Sequence, residues 1–180
     1  TIVWMAEFND SKRVVEVTKS LAQYFRLALN QGHEQISLRD EIDHVRQYLF
    51  IQKQRYGDKL QYAIEEDESI ADYKLPKLVL QPLVENAIYH GIKEIDRQGM
   101  IRVTSAVEEG QLILSIYDNG RGFDVNASMD ATFLRLGGVG LKNVDQRLRL
   151  QFGDDYRMEI QSEPDKFTQI CLYLPLDSDD

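Results

Sequence analysis

Two runs of apolar and half-apolar residues, spaced three and four apart, occupy the first third of the chain and stop at Tyr56-Gly57-Asp58. The first run is Val14, Val17, Leu21, Tyr24 and Ala28; the second is Ile42, Val45, Leu49, Gln52 and Tyr56. This spacing draws one stripe along a helix and is the seam of helices packed side by side. Between the runs, Asn30 and Gly32 stop the first helix, and no periodicity survives through Gln35. Ser37 then offers an N-cap, with Asp40 and Glu41 in the first turn. The pattern predicts an antiparallel helical hairpin over 1–58. Such a hairpin has little of its own to cover its apolar face, so pairing with a second copy in a four-helix bundle is the expected solution.

Past Gly57 the period changes. Leu60, Tyr62 and Ile64 alternate with polar residues, as in a half-buried strand. Residues 75–91 read as an apolar helix closed by Gly91, with Pro76 in its first turn and Pro82 kinking it or starting its second part. Strands are expected over 101–107 and 112–117, joined by Glu109-Gly110. Residues 121–137 read as a long surface loop, 141–151 as a helix, and 157–161 and 168–174 as two closing strands. The acidic end, 177–180, is expected to fray. The fold class is therefore α+β, a helical hairpin over 1–58 followed by a domain over 59–180 with one mixed, mostly antiparallel sheet.

Composition narrows the function. A hydrophobic fraction of 43% supports a real core. With 30 acidic against 21 basic residues the net charge is −9, which argues against nucleic acid or an anionic membrane surface as partner. Cys171, the single cysteine, excludes a disulfide framework and a cysteine zinc cluster. One thiol and no signal-type segment fit a reducing, cytoplasmic setting. The chain opens at Thr1 in helical text, so it is read as a fragment.

Three constellations carry chemistry. In Glu85-Asn86-x-x-x-His90-x-x-Lys93, Asn86, His90 and Lys93 share one face of a helix. An Asn carbonyl is a hard oxygen donor suited to Mg²⁺, and a Lys beyond it can meet a phosphate. Taken alone, an exposed polar face explains these residues equally well. Asp118-Asn119-Gly120-Arg121-Gly122 ends a strand with a carboxylate able to accept a hydrogen bond from an exocyclic amine, beside glycines that admit a ring. Alone it is an ordinary Asn-Gly turn. Gly137-Gly138-Val139-Gly140-Leu141 leads into a helix whose N–H groups could cradle phosphate, or it is a flexible hinge.

The order of the three is more specific than any one of them. It resembles the nucleotide-binding domain of the GHKL superfamily, which includes histidine kinases, Hsp90 chaperones, MutL and type II topoisomerases. Glu85 and Asn86 match the N box, Asp118, Gly120 and Gly122 the G1 box, and Gly138 and Gly140 the G2 box. The stretches from Leu75-Pro76 to Pro82-Leu83-Val84-Glu85-Asn86-Ala87, and from Tyr48-Leu49 to Gly57-Asp58, resemble LytS/YehU-type bacterial sensor histidine kinases. The likeness covers nearly the whole chain.

The resemblance implies a GHKL/Bergerat-type α/β sandwich that binds ATP and Mg²⁺. It makes Asn86 the metal ligand, His90 and Lys93 phosphate or lid contacts, and Glu85 the polarising or general-base carboxylate. Asp118 would bind the adenine amino group, Gly120 and Gly122 would shape its approach, and the segment between Gly122 and Gly138 would be a lid. Gly138, Gly140 and Leu141 would close on the triphosphate, and Thr168 would complete the adenine pocket through water. The family often has glycine where Phe167 stands here. Its phosphoacceptor motif is missing, and His33 and His44 lack that context, so the acceptor is expected upstream of this fragment. The implied partners are a second copy through the hairpin and a response regulator receiver domain, in a protein anchored in the bacterial inner membrane. Two other readings stay open: an ATPase in which Glu85 activates water, and a nucleotide-binding dimerisation module without turnover.

Overall fold

The computed structural model describes residues 1–7, 10–29, 34–125 and 139–176. Helix α1 (Ile2–Glu7) is followed by α2 (Ser11–Ala28), capped by Asp10, whose carboxylate accepts from the Arg13 N–H. The short strand β1 (Gln35–Ser37) leads into α3 (Leu38–Tyr56). Ser37 caps α3 as its sequence requires, accepting from the Asp40 N–H at 3.1 Å. Val17 of the first seam is buried and its companions are half-buried along the side of α2 that packs on α3. The antiparallel hairpin is present.

The second helix differs from expectation in what covers it. Leu38, Ile42, Val45, Tyr48 and Leu49 belong to the same buried cluster as the sheet and its helices. Its apolar side is therefore covered from within the chain, against α4 and β2. Spacing finds that stripe without revealing which surface meets it.

Strand β2 (Leu60–Glu65) runs parallel to β4 (Gly99–Glu108), which pairs antiparallel with β5 (Gln111–Asp118). β5 pairs antiparallel with β7 (Phe167–Pro175), and β7 with β6 (Arg157–Glu163), so the sheet order is β2-β4-β5-β7-β6. Glu109 and Gly110, both at positive φ, make the β4–β5 turn. The inward residues Ile101, Val103, Leu112, Leu114, Ile116, Ile170, Leu172 and Leu174 are buried beneath α3, α4 and α5 (Val139–Phe152). This mixed, mostly antiparallel sheet under a layer of helices is the expected architecture.

The segment 75–91 is not one helix. Lys74–Pro76 is strand β3, antiparallel to β1, and α4 begins only at Leu80, spanning Leu80–Asn86. Leu78 at φ 59° turns the chain between them. The fully buried Glu41 of α3 accepts the Leu78 and Leu80 N–H groups at 2.9 and 2.8 Å and so caps α4 from another helix. Pro82 lies in the first turn, where an N–H has no intrahelical partner, so the helix needs no kink there. Beyond Asn86 the helix widens to π-helical geometry over Ala87–Ile92, with the Lys93 N–H donating to the Ile88 carbonyl five residues back at 2.9 Å. No helix among the described residues is long and apolar enough to cross a membrane.

Candidate active site

A cavity of about 610 Å³ opens between the π-helical end of α4, the end of β5 and the β6–β7 turn. Asn86, His90, Gly91, Asp118, Gly122 and Thr168 are among its walls. Elements distant in sequence meet here because β5 ends beside the α4 segment and β7 lies next to β5, pairing Asp118 with Thr168 across the strands.

Asp118 points inward at the last position of β5 and is only 4% exposed. Its Oδ1 accepts the Gly120 N–H at 2.9 Å. Burial pushes this carboxyl up to about 7, although the Gly120 bond and the Arg97 charge pull it back in part. A Cβ on Gly91 would stand 2.4 Å from Asp118 Oδ1, and one on Gly120 would stand 2.4 Å from Gly91 Cα. The two glycines therefore touch, and only hydrogen fits between the helix and the carboxylate. Gly122 sits at φ 56°, where a Cβ would fall 1.9 Å from the Glu163 carbonyl oxygen.

Thr168 is buried beside Asp118 in register, and its Oγ1 lies 3.1 Å from Ser162 Oγ. Ser162 donates its only hydroxyl proton to the Phe167 carbonyl at 2.8 Å and accepts the Phe123 N–H at 2.8 Å. Thr168 is thereby the donor to Ser162, which leaves its own lone pairs as acceptors. Phe167 occupies the opposite side of the strand, its ring stacked on Tyr117 with centroids 5.9 Å apart. Its bulk stays out of the cavity walls.

Asn86 and His90 reach the cavity together. The Asn86 Nδ2 is buried with no hydrogen-bond partner among the described residues, so this amide is uncommitted. Its oxygen is a hard neutral donor of the kind Mg²⁺ accepts alongside water and phosphate. Lys93 is exposed and not among the cavity walls, because the widened turn rotates it off the face set by Asn86 and His90. Glu85 is half-buried and also lies outside the walls, its carboxylate accepting from Gln81 Nε2 at 2.9 Å. Gly140, the second residue of α5, has space for a Cβ 3.5 Å from Pro82. Leu141 is fully buried in the core and anchors that helix. Gly138, His33 and most of the expected lid, 126–138, lie outside the described residues.

Sequence reasoning missed several residues. Gly91 was legible only as a helix end, and Ser162 as one more polar strand residue. Arg97 donates to the carbonyls of Gly120 and Asp165 at 3.2 and 3.0 Å, tying the loop after β5 to the β6–β7 turn. Asn119 accepts the Met100 N–H at 2.6 Å. No sequence signal marks either role. His44 is buried, its Nε2 has no partner among the described residues, and burial holds its pKa below the usual imidazole range.

Comparison with known proteins agrees with this geometry. Residues 1–60 match the family model described as "Histidine kinase", and residues 71–178 match that of the "Histidine kinase-, DNA gyrase B-, and HSP90-like ATPase". The chain is 37% identical over 167 residues to sensor histidine kinase BtsS of Escherichia coli (strain K12), covering 93% of this chain and 28% of that protein. It is 32% identical over 175 residues to sensor histidine kinase YesM of Bacillus subtilis (strain 168), covering 97% of this chain and 30% of the relative. The chain thus spans less than a third of the length of these relatives. The solved Acinetobacter baumannii histidine kinase AdeS superposes with a TM-score of 0.60 over 99% of this chain and 86% of that one, at 14% identity, which is a likeness of fold. On the match over 71–178, the chain belongs to the histidine kinase-, DNA gyrase B- and HSP90-like ATPase family, on its sensor histidine kinase branch.

Proposed function

We propose that the chain is the ATP-binding catalytic core of a two-component sensor histidine kinase, passing the γ-phosphoryl group of Mg·ATP to a histidine outside residues 1–180. The observation that carries this reading is the buried Asp118 on the floor of the cavity, with Gly91 and Gly120 pressed against it and Asn86 on the same wall. Asp118 accepts the adenine amino group, and Thr168 offers its lone pairs to a water beside it. Gly122 lets the base approach, while His90 and the backbone at Gly140 meet the phosphates. Leu141 holds the start of α5 in place from within the core. Asn86 supplies one oxygen to Mg²⁺, which when bound neutralises charge on the phosphate oxygens. Glu85 polarises the acceptor imidazole. Catalysis is then mainly alignment of nucleophile and phosphorus.

Functionally the chain divides into 1–58, the hairpin, and 59–180, the nucleotide domain, with α3 shared between them. A second copy pairs with the hairpin through a stripe of α2 that lies about 100° around the helix from the side packed on α3. There Val15, Phe25 and Leu29 are 51%, 53% and 77% exposed, and Thr18 and Ala22 continue the three-four spacing. The phosphate passes on to a receiver domain of a response regulator, and no nucleic acid is involved.

The test is incubation of the full-length protein with labelled ATP, with and without Asn86→Ala. Acid-labile phosphohistidine that requires Asn86 is expected. Free phosphate alone would favour a hydrolase, and neither product would favour a module without turnover. Wild-type Mg²⁺-dependent ATP affinity together with undiminished transfer in Asn86→Ala would remove the metal role.

A further inference from the structure

Glu85 sits beside the metal-ligand position but outside the cavity walls, and the structure indicates what holds it there. Gln81, one helical turn earlier, is buried and donates from Nε2 to Glu85 Oε1 at 2.9 Å. The same nitrogen lies 3.4 Å from the hydroxyl oxygen of Tyr24 on α2. The Tyr24 ring stacks on His44 of α3, with centroids 4.4 Å apart at 19°. The Tyr24 phenol is pushed above its ordinary value by burial, then by the charges of Glu85 and Tyr89. Tyr48 of α3 is pushed up by burial and by the same two neighbours. Hydrogen bonds therefore run from the Tyr24 hydroxyl on α2 through Gln81 to the Glu85 carboxylate on α4.

Stability does not explain Gln81. Its Oε1 is buried without a partner among the described residues, a loss of hydration that an apolar side chain of the same size would avoid. What the amide does achieve is directional: it fixes one carboxylate oxygen of Glu85 and ties it to the first long helix of the hairpin.

We propose that Gln81 is a positioning residue that sets the orientation of the Glu85 carboxylate and links it to the Tyr24 hydroxyl, so that the placement of α2 is felt at the reacting centre. This rests on Glu85 being the polarising carboxylate proposed above.

The experiment uses the full-length protein with Gln81→Met, Tyr24→Phe and Glu85→Gln. It measures autophosphorylation kcat, affinity for a fluorescent ATP analogue, and thermal melting. Gln81→Met should keep nucleotide affinity within about twofold and lower kcat about tenfold or more. Tyr24→Phe, which keeps the ring on His44, should lower kcat by less, with affinity likewise kept. A cooperatively melting Gln81→Met with the wild-type kcat overturns the proposal. If Gln81→Met does not fold, Tyr24→Phe decides: a lowered kcat at unchanged affinity supports the link and a wild-type kcat overturns it. An inactive Glu85→Gln beside an unaffected Gln81→Met refutes only the positioning role, whereas wild-type turnover in Glu85→Gln removes the assignment of Glu85 as well.

Discussion

Asp118 combines burial with a carboxyl held at about 7, far above the ordinary aspartate value near ~3.9. A raised acid of this kind favours the protonated fold. Its contribution to stability is complete below about pH 4, declines as pH rises toward about 7, and is lost above that. A ligand that brings an amino donor reverses the preference, because it favours the ionised acceptor. ATP affinity is therefore expected to rise with pH through about 7, with proton release on binding near that pH. Calorimetry in two buffers of different ionisation enthalpy checks this, and identical heats in both would contradict it. Asp118→Asn should weaken ATP binding by about 2 kcal/mol, roughly thirtyfold, and abolish the pH dependence.

At the scale of elements, two helices owe their setting to neighbours. Helix α4 starts where it does because Glu41 on α3 accepts two of its leading N–H groups. Burial pushes that carboxyl up, while backbone N–H groups from Leu80, Leu78, Val79 and Gln81 pull it down. Glu41→Gln presents an NH₂ where only acceptors fit, and is expected to lower stability by about 2 kcal/mol, read from urea unfolding. An unchanged midpoint and slope would show that the cap is dispensable. Helix α2 carries two stripes, one spent on α3 and one exposed. Placing aspartate at Phe25 and Leu29 together should convert a dimer of the full-length protein to monomer in sedimentation, with the melting temperature little changed. A double variant that sediments as a dimer would locate the pairing surface elsewhere.

At the scale of the molecule, α3 is as much a part of the core as any strand, since Ile42, Val45 and Leu49 pack with Leu60, Leu83 and Ile101. Residues 59–180 produced alone are therefore expected to bind a hydrophobic dye and to lack a cooperative melt, whereas 34–180 should melt in one transition. A cooperative melt of 59–180 would show that α3 is an attachment. The strand and helix positions after Gly57 were legible because period-2 and period-3.6 patterns are local, and the candidate site residues could be named because their order along the chain resembles a known family. The start of α4 at Leu80, the π-helical turn that separates Lys93 from His90, and the roles of Gly91, Arg97 and Ser162 were not. Each depends on an atom supplied from elsewhere in the fold.

Residues near in sequence thus determined the hairpin, the alternation of the sheet and the identity of the acid at 118. Such features follow from backbone geometry and from side-chain periods that each segment carries by itself. Only the tertiary structure decided that α3 closes the core, that Gly91 and Gly120 touch beneath Asp118, and that Tyr24 reaches Gln81. Those are contacts between segments, and their distances are set by packing that no single stretch of the chain contains.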